Sequence, residues 1–513
     1  MRFLDAEAAV AEIPHGATVT LSANGGGMLE PDRVLAALRA RFESTSGPRD
    51  LTLVHALGLG DGVHRGTNAV ALEGLVSTVI GGHWTWSPEM VRMANENRIA
   101  AYALPAGVIS LLLREIGARR PGLLTRTGLG TFVDPRQAGG ACNARARQRS
   151  LVEVVEFDGD EYLRYRPFPV DVAIIRAEAV DPAGNLSCAR EAGVLDVLAA
   201  ATAARASGGR VIAQVKRRID TVHEPHLVHV PAPLVDVVVL SPTQWQTYAG
   251  EFDPAFCATS AEAHIVPKFT DPVRTLIALR AGQEVRAGSL LNVGFGMSSL
   301  VVDALTSQGR MDDVTLAIEQ GMIGGVPVSG DLFGAVRSPA VVQPSTTQFD
   351  LFASGVLDMA CLGMAQADAD GNVNVSRING SVIGPGGFVD IAQNAAEAVF
   401  CGTFTAKGLR VGFQDSRIRI LEEGSVPKFV AQVEEITHSG RLAVAEGRQV
   451  TFVTERAVLK LRSEGVELVE VAPGIDIRTD VIEHMGFTPL VRNVKPMDAG
   501  LIAAAQSLTA GAA

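Results

Sequence analysis

The chain has 513 residues, 47% hydrophobic but only 5% aromatic, and a formal net charge of −11. A length of this order predicts roughly two to four domains whose cores are filled by Ala, Val, Leu and Ile rather than by rings. The acidic balance argues against nucleic acid or an anionic membrane surface as the main partner, and no apolar run approaches the length of a membrane span.

Taken in chain order, the opening residues carry Asp5 and Glu7 where a secretory signal would be apolar, which fits a cytoplasmic protein. The five cysteines, Cys142, Cys188, Cys257, Cys361 and Cys401, form no close pair, so neither a disulfide framework nor a cysteine zinc site is expected. Residues 14–21 read as a strand entering the glycine turn Asn24-Gly25-Gly26-Gly27, followed by a helix over 31–41. Further strands are expected at 51–54, 211–215, 235–240, 314–318 and 398–400, alternating with Ala-rich helical stretches such as 194–206. Strand then helix, repeated, is the pattern of an α/β fold. Later segments read as a helix over 429–437 among short strands and hairpins, and a last helix over 477–485. The Ala-, Gly- and Ser-rich residues 501–513 read as a loose tail.

The chain contains the same unit twice. Val170 to Asn185 aligns without a gap on Leu357 to Asn372 at an offset of 187, and both copies end in an Asp-x-x-Gly-Asn turn. Gly193 to Val197 echoes Gly387 to Ile391 at an offset of 194. Upstream, Gly16 and the Asn24 turn correspond to Gly288 and to Asn292-Val293-Gly294-Phe295-Gly296. The first copy spans 168 residues from Gly16 to Gly184 and the second 83 from Gly288 to Gly371, so about 85 extra residues lie near 60–150. The expected organisation is two related open α/β domains over 1–250 and 271–500, joined by a linker at 251–270.

Four groups of residues could carry chemistry. Glu319 ends an apolar strand and is followed at once by Gly321, Gly324 and Gly325. Ligands of parallel α/β sheets sit at the carboxyl ends of strands, so this carboxylate is either a base or nucleophile, or a solvent-facing strand end. Gly384-Pro385-Gly386-Gly387 offers backbone N–H groups for an oxyanion hole or a phosphate, or is a plain tight turn. Gly294 and Gly296 resemble half of a dinucleotide fingerprint beside a helix start, where a pyrophosphate could bind, but the third glycine is missing. His223, His226 and His229 invite a metal reading, but Pro225 breaks the helix that would gather them, so no metal is expected.

At Glu319 the sequence resembles the family I CoA-transferases, especially the single-chain type acting on short-chain acids such as propionate and acetate. The likeness rests on Gly81-Gly82-His83-Trp84, Gly128 to Pro135, Gly363 to Asp368 with Gly371 to Asn374, Gly384 to Phe388, Cys401 to Thr405, and Glu319-Gln320-Gly321 followed by Ile323 to Pro327. The resemblance implies fused α-like and β-like halves, an active site between them, and Glu319 as the nucleophile. It implies ping-pong transfer of CoA from an acyl-CoA to a free acid through a glutamyl-CoA thioester. It also implies Gly386 and Gly387 at the oxyanion hole, Asn292 and Asn24 beside the substrate, and Gly294 and Gly296 as contacts for CoA. No cofactor is implied beyond the CoA of the substrate, and a homo-oligomer is expected. Many members of the family have glutamine where this chain has Ala106. The exchange implies either a different polar group or a pocket for an acid bulkier than acetate or propionate. Competing readings are an acyl-CoA hydrolase on the same scaffold, a Rossmann-type oxidoreductase, and a non-catalytic ligand sensor.

Overall fold

Short runs of Val, Ile, Leu and Ala build two parallel sheets whose strands are buried on both faces, as parallel sheets require. A computed structural model describes residues 1–259 and 267–510. It divides into two compact units. The first holds the residues up to 259 together with Ile318–Leu351 and Gly380–Asp390. The second holds 267–317, Phe352–Asn379 and 391–510. The division is therefore not the simple split near 250–270 that the sequence suggests, because two later segments return to the first unit. Part of the expected linker, 260–266, lies outside the described residues.

The sheet of the first unit runs Arg2–Leu4, Val237–Leu240, Arg210–Arg218, Val172–Val180, Thr18–Leu21, Leu51–His55, Val76–Gly81, Ala100–Ala103. All these neighbours are parallel, with Leu186–Ser187 added antiparallel to Val172–Val180. Every residue of Val172–Val180 is buried, which places this strand at the middle of the core. Around it Val19, Leu53, Ile174 and Ile212 are at most 3% exposed, each worth roughly 1.5–3 kcal/mol of burial.

The sheet of the second unit runs Thr315–Leu316, Leu290–Val293, Met359–Gly363, Glu397–Cys401, Gln449–Val453, and then three more strands, Ala457–Arg462, Gly465–Val471 and Leu490–Pro496. Its first five strands are parallel. They repeat the order of Leu51–His55, Thr18–Leu21, Val172–Val180, Arg210–Arg218 and Val237–Leu240 in the first sheet. The duplication holds at the level of single bonds. Asp171 Oδ2 accepts the Thr18 N–H at 2.8 Å, and its counterpart Asp358 accepts the Leu290 N–H at 2.8 Å. Asp181 grips Asn185 as Asp368 grips Asn372, through backbone and side-chain amides at 2.9–3.1 Å.

The extra residues of the first copy are integral to its sheet. They add the strands Val76–Gly81 and Ala100–Ala103, the helix Ala106–Gly117, and a small sheet of Leu123–Thr125, Asp160–Tyr165 and Val152–Phe157. The helix packs on Val197–Ala206.

Two expected elements differ. Residues 429–437 form no helix. Phe429 is fixed between Phe404 and Phe452, and the peptide groups of Val430, Val433 and Glu434 pair with Ala367, Asp368 and Gln366 instead of with a preceding turn. The expected loose tail is mostly a helix, Ala499–Thr509, capped by Asp498 on the Gly500 N–H, with Leu501, Ile502 and Ala505 buried. Ala-rich composition served helix propensity here rather than disorder. Residues 511–513 lie outside the described residues.

Candidate active site

Glu319 sits on a tight turn rather than at the end of a long strand. The Gly321 N–H donates to Ile318 O at 3.1 Å and the Ile318 N–H to Met322 O at 3.0 Å, which leaves Glu319 and Gln320 at the tip. Gly321 closes the turn with φ +105, and a Cβ there would meet Gln343 O at 2.0 Å. The second residue after Glu319 must therefore be glycine.

The Glu319 side chain is half-buried. Burial pushes its carboxyl up from the usual range to about 7, against the opposing pull of the Gln320 amide and the Gly387 N–H. Gln320 Nε2 donates to Glu319 Oε1 at 3.1 Å and lies 3.4 Å from Asn24 Oδ1. Asn24 is fixed in turn by its own Nδ2, which donates to Phe333 O at 3.2 Å and Gly25 O at 3.1 Å. Asn24 therefore reaches Glu319 through Gln320, which sequence reasoning had passed over. Gln320 Oε1 is buried without a hydrogen-bond partner.

The glycine loop supplies one donor to Glu319 where two had been expected. The Gly386 N–H is engaged by Gly82 O at 2.8 Å, and Gly386 O accepts the Ala106 N–H at 2.8 Å. These bonds hold the loop, and with its N–H so engaged Gly386 is not the oxyanion donor it was expected to be. The Gly387 N–H is the one that bonds the Glu319 carboxylate. Ala106 is fully buried where it meets the loop.

Asp390, three residues beyond Gly387, was not among the expected site residues. It is buried, and burial together with the Glu319 charge pushes its carboxyl up to about 8, against the Gly107 N–H that bonds it at 3.0 Å. Asp390 therefore holds a proton at neutral pH. His83, next to the loop, is kept neutral by burial, which lowers it to about 4, and its Nε2 bonds Thr85 Oγ1 at 2.5 Å. The arrangement is a poorly solvated carboxylate with amide donors and, among the described residues, no cation hydrogen-bonded to it. Such a carboxylate is a stronger base and nucleophile than one in water.

Asn292, Gly294 and Gly296 belong to the second unit. Asn292 Nδ2 donates to Ala317 O at 2.8 Å, and its Oδ1 is buried without a partner. The Gly294 N–H donates to Cys361 O at 2.9 Å, and Gly296 has φ +88 in the turn before the helix Leu300–Ser307. His223, His226 and His229 are not gathered: Pro225–Leu227 is a single 3₁₀ turn, and His229 Nδ1 takes the Cys188 N–H at 3.1 Å. Among the described residues, no group of three His, Cys, Asp or Glu side chains is placed to hold a metal, and no helix is long and apolar enough to cross a membrane.

Comparison with known proteins gives a consistent picture. The family model described as coenzyme A transferase matches residues 3–241. Acetate CoA-transferase YdiF of Escherichia coli (strain K12) is 39% identical over 500 residues, covering 96% of this chain and 94% of the relative. Caffeate CoA-transferase of Acetobacterium woodii is 37% identical over 512 residues, covering 98% and 97%. The crystal structure of the E. coli O157:H7 acyl-CoA transferase YdiF, in a thioester complex with CoA, superposes with a TM-score of 0.91 at 37% identity, covering 98% of this chain and 96% of that one.

Proposed function

This chain belongs to the coenzyme A transferase family and is a CoA-transferase, and from that premise we propose that Glu319 carries CoA between a short-chain acyl-CoA and a small carboxylic acid. The observation that carries the reading is the half-buried Glu319 carboxylate, bonded by the Gly387 N–H and the Gln320 amide.

The Glu319 carboxylate attacks the thioester carbonyl, the C–S bond breaks, and an acyl–glutamyl anhydride forms with release of CoA thiolate. The thiolate attacks the glutamyl carbonyl, and the first acid departs as its carboxylate, leaving a glutamyl-CoA thioester. An incoming carboxylate attacks that thioester and regenerates an anhydride and thiolate. Thiolate attack on the new acyl carbon releases the second acyl-CoA and restores the Glu319 carboxylate. One thioester replaces another, so the sequence needs no metal, redox group or nucleotide. In this reading the Gly387 N–H and Gln320 Nε2 stabilise the oxyanions that form at the glutamyl carbon. The CoA-binding roles of Gly294 and Gly296, and a substrate contact by Asn292, are part of this reading. Asn24 supports it by holding Gln320.

Intact-protein mass tests the reading. Acetyl-CoA without acceptor should leave wild-type enzyme heavier by CoA less water, and added carboxylate should discharge the adduct. No adduct would defeat the reading, and an adduct lost to water as fast as to acid would favour a hydrolase. Ala106, where the resemblance expects glutamine, is the ground for proposing an acid larger than acetate. Butyrate should then discharge the adduct faster than acetate, and Ala106→Gln should narrow that difference by about tenfold.

Attack needs the ionised carboxylate, and its carboxyl titrates at about 7. Asp390, which feels the Glu319 charge, is uncharged at that pH, as is His83 beside the glycine loop. The single-turnover rate of adduct formation should therefore fall about tenfold per unit as pH drops below 7, and level off above it. A rate unchanged between pH 5.5 and 8 would contradict the role.

A further inference from the structure

The helix Ala106–Gly117 is gripped by both copies of one duplicated motif. Gly193-Val194-Leu195-Asp196 and Gly387-Phe388-Val389-Asp390 are the segments related by the offset of 194. Asp390 Oδ2 accepts the Gly107 N–H at 3.0 Å. A Cβ at Gly107 would stand 2.5 Å from Asp390 Oδ1, so the carboxyl is seated directly on the helix backbone. Asp196 is 5% exposed and accepts from Ser110 Oγ at 3.0 Å, one turn further along the same helix. Its other oxygen accepts from Ser22 Oγ at 2.5 Å.

The far end of each link leads to Glu319. Ser22 stands two residues before Asn24, which holds Gln320. Asp390 stands three residues after Gly387, and the Ala106 N–H bonds Gly386 O in the same loop. The glycine loop, which carries the Gly387 N–H, and the Asn24 loop, which accepts from the Gln320 amide, are thus fastened to one helix by two buried carboxyl groups. A buried carboxyl is costly unless it is hydrogen-bonded, and each of these is bonded to the helix.

We propose that Asp196 and Asp390 are matched positioning residues, which fix the Asn24–Gln320 arm and the Gly387 N–H on the helix Ala106–Gly117 at the spacing that the Glu319 chemistry requires. The proposal rests on Glu319 as the nucleophile. It makes the helix a shared platform, so the two supports fail independently.

The test compares wild type with Asp390→Leu, Asp390→Asn, Asp196→Leu, Asp196→Asn and Ser110→Ala. Each is assayed for glutamyl-CoA formation from acetyl-CoA by mass and for steady-state kcat and KM. Asn keeps an oxygen that accepts from Gly107 or Ser110, and Leu does not. Each Leu variant should lose 10²–10³-fold in the rate of adduct formation and in kcat, the scale of one lost oxyanion donor, with KM within about threefold of wild type. Each Asn variant should recover to within about tenfold of wild type. Ser110→Ala removes only the hydroxyl that meets Asp196 and should cost about tenfold in kcat; together with the Asn variants it decides the matter if a Leu variant does not fold. Leu variants as fast as wild type, Asn variants as slow as Leu, or a loss confined to KM would overturn the proposal. Wild-type enzyme that forms no adduct would overturn the nucleophile reading as well. Wild-type enzyme that forms it, beside Leu variants that form it equally fast, would overturn the positioning role alone.

Discussion

Glu319→Ala should lower kcat by roughly 10⁴–10⁶-fold and leave no CoA adduct, because it removes the carboxylate proposed to form the anhydride. The Gly387 and Gln320 donors persist in this variant, so the small remaining rate measures what they do alone for direct attack of an acid on a thioester. Glu319→Asp draws the carboxylate back by about one methylene and should cost about 10²-fold, since misplacement on the ångström scale is felt strongly in a fixed site. Affinity for acyl-CoA, measured by equilibrium binding, should change little in either variant. An alanine variant that kept more than about a hundredth of wild-type kcat would remove Glu319 from the mechanism.

Arg176→Met should destabilise the first unit by about 3–5 kcal/mol. Arg176 is fully buried on the central strand Val172–Val180 and forms a paired contact with Glu191, at 2.7 and 3.2 Å. Its remaining N–H groups reach the carbonyls of Gly27, Glu30, Trp245 and Gln246 at 2.7–3.2 Å. One side chain thus ties the glycine turn after Asn24 to the segment at Trp245. Removal leaves the buried Glu191 carboxylate without its cation and several carbonyls without a donor, which is where most of the cost arises. Arg176→Met combined with Glu191→Leu should recover part of the loss. Urea denaturation followed by tryptophan emission reads this unit alone, because Trp84, Trp86 and Trp245 all lie in it. A loss below about 1 kcal/mol would show that the pair matters no more than an exposed one.

The duplication was legible because it is written in turn residues and buried strands, which leave a strong periodic trace. Asp171 and Asp358, Gly184 and Gly371, Asn185 and Asn372 all occupy corresponding bonds. Glu319 was singled out from its place before a glycine turn and from family likeness. Gln320 and Asp390 were not selected as site residues, because their roles depend on partners about 300 positions away, Asn24 and Gly107. A signal for Asp390 was nevertheless present in its echo of Asp196, which read as repetition rather than as chemistry. Gly386 shows the opposite error. Glycine content marked the loop, but which N–H was free depended on Gly82 O, which local sequence does not reveal. The helix Ala499–Thr509 was missed because small residues suit both a helix and an unstructured tail, and burial of Leu501 and Ile502 decides between them.

The return of Ile318–Leu351 and Gly380–Asp390 to the first unit has a consequence for synthesis. Domains fold largely in the order in which the ribosome delivers them. Once Leu240 has emerged, every strand of the first sheet is available, yet the nascent chain lacks both Glu319, the proposed nucleophile, and the Gly387 N–H that bonds it. On the proposed role of Glu319, a product that stops before Asp390 lacks part of the first unit and should show no reactivity toward thioesters.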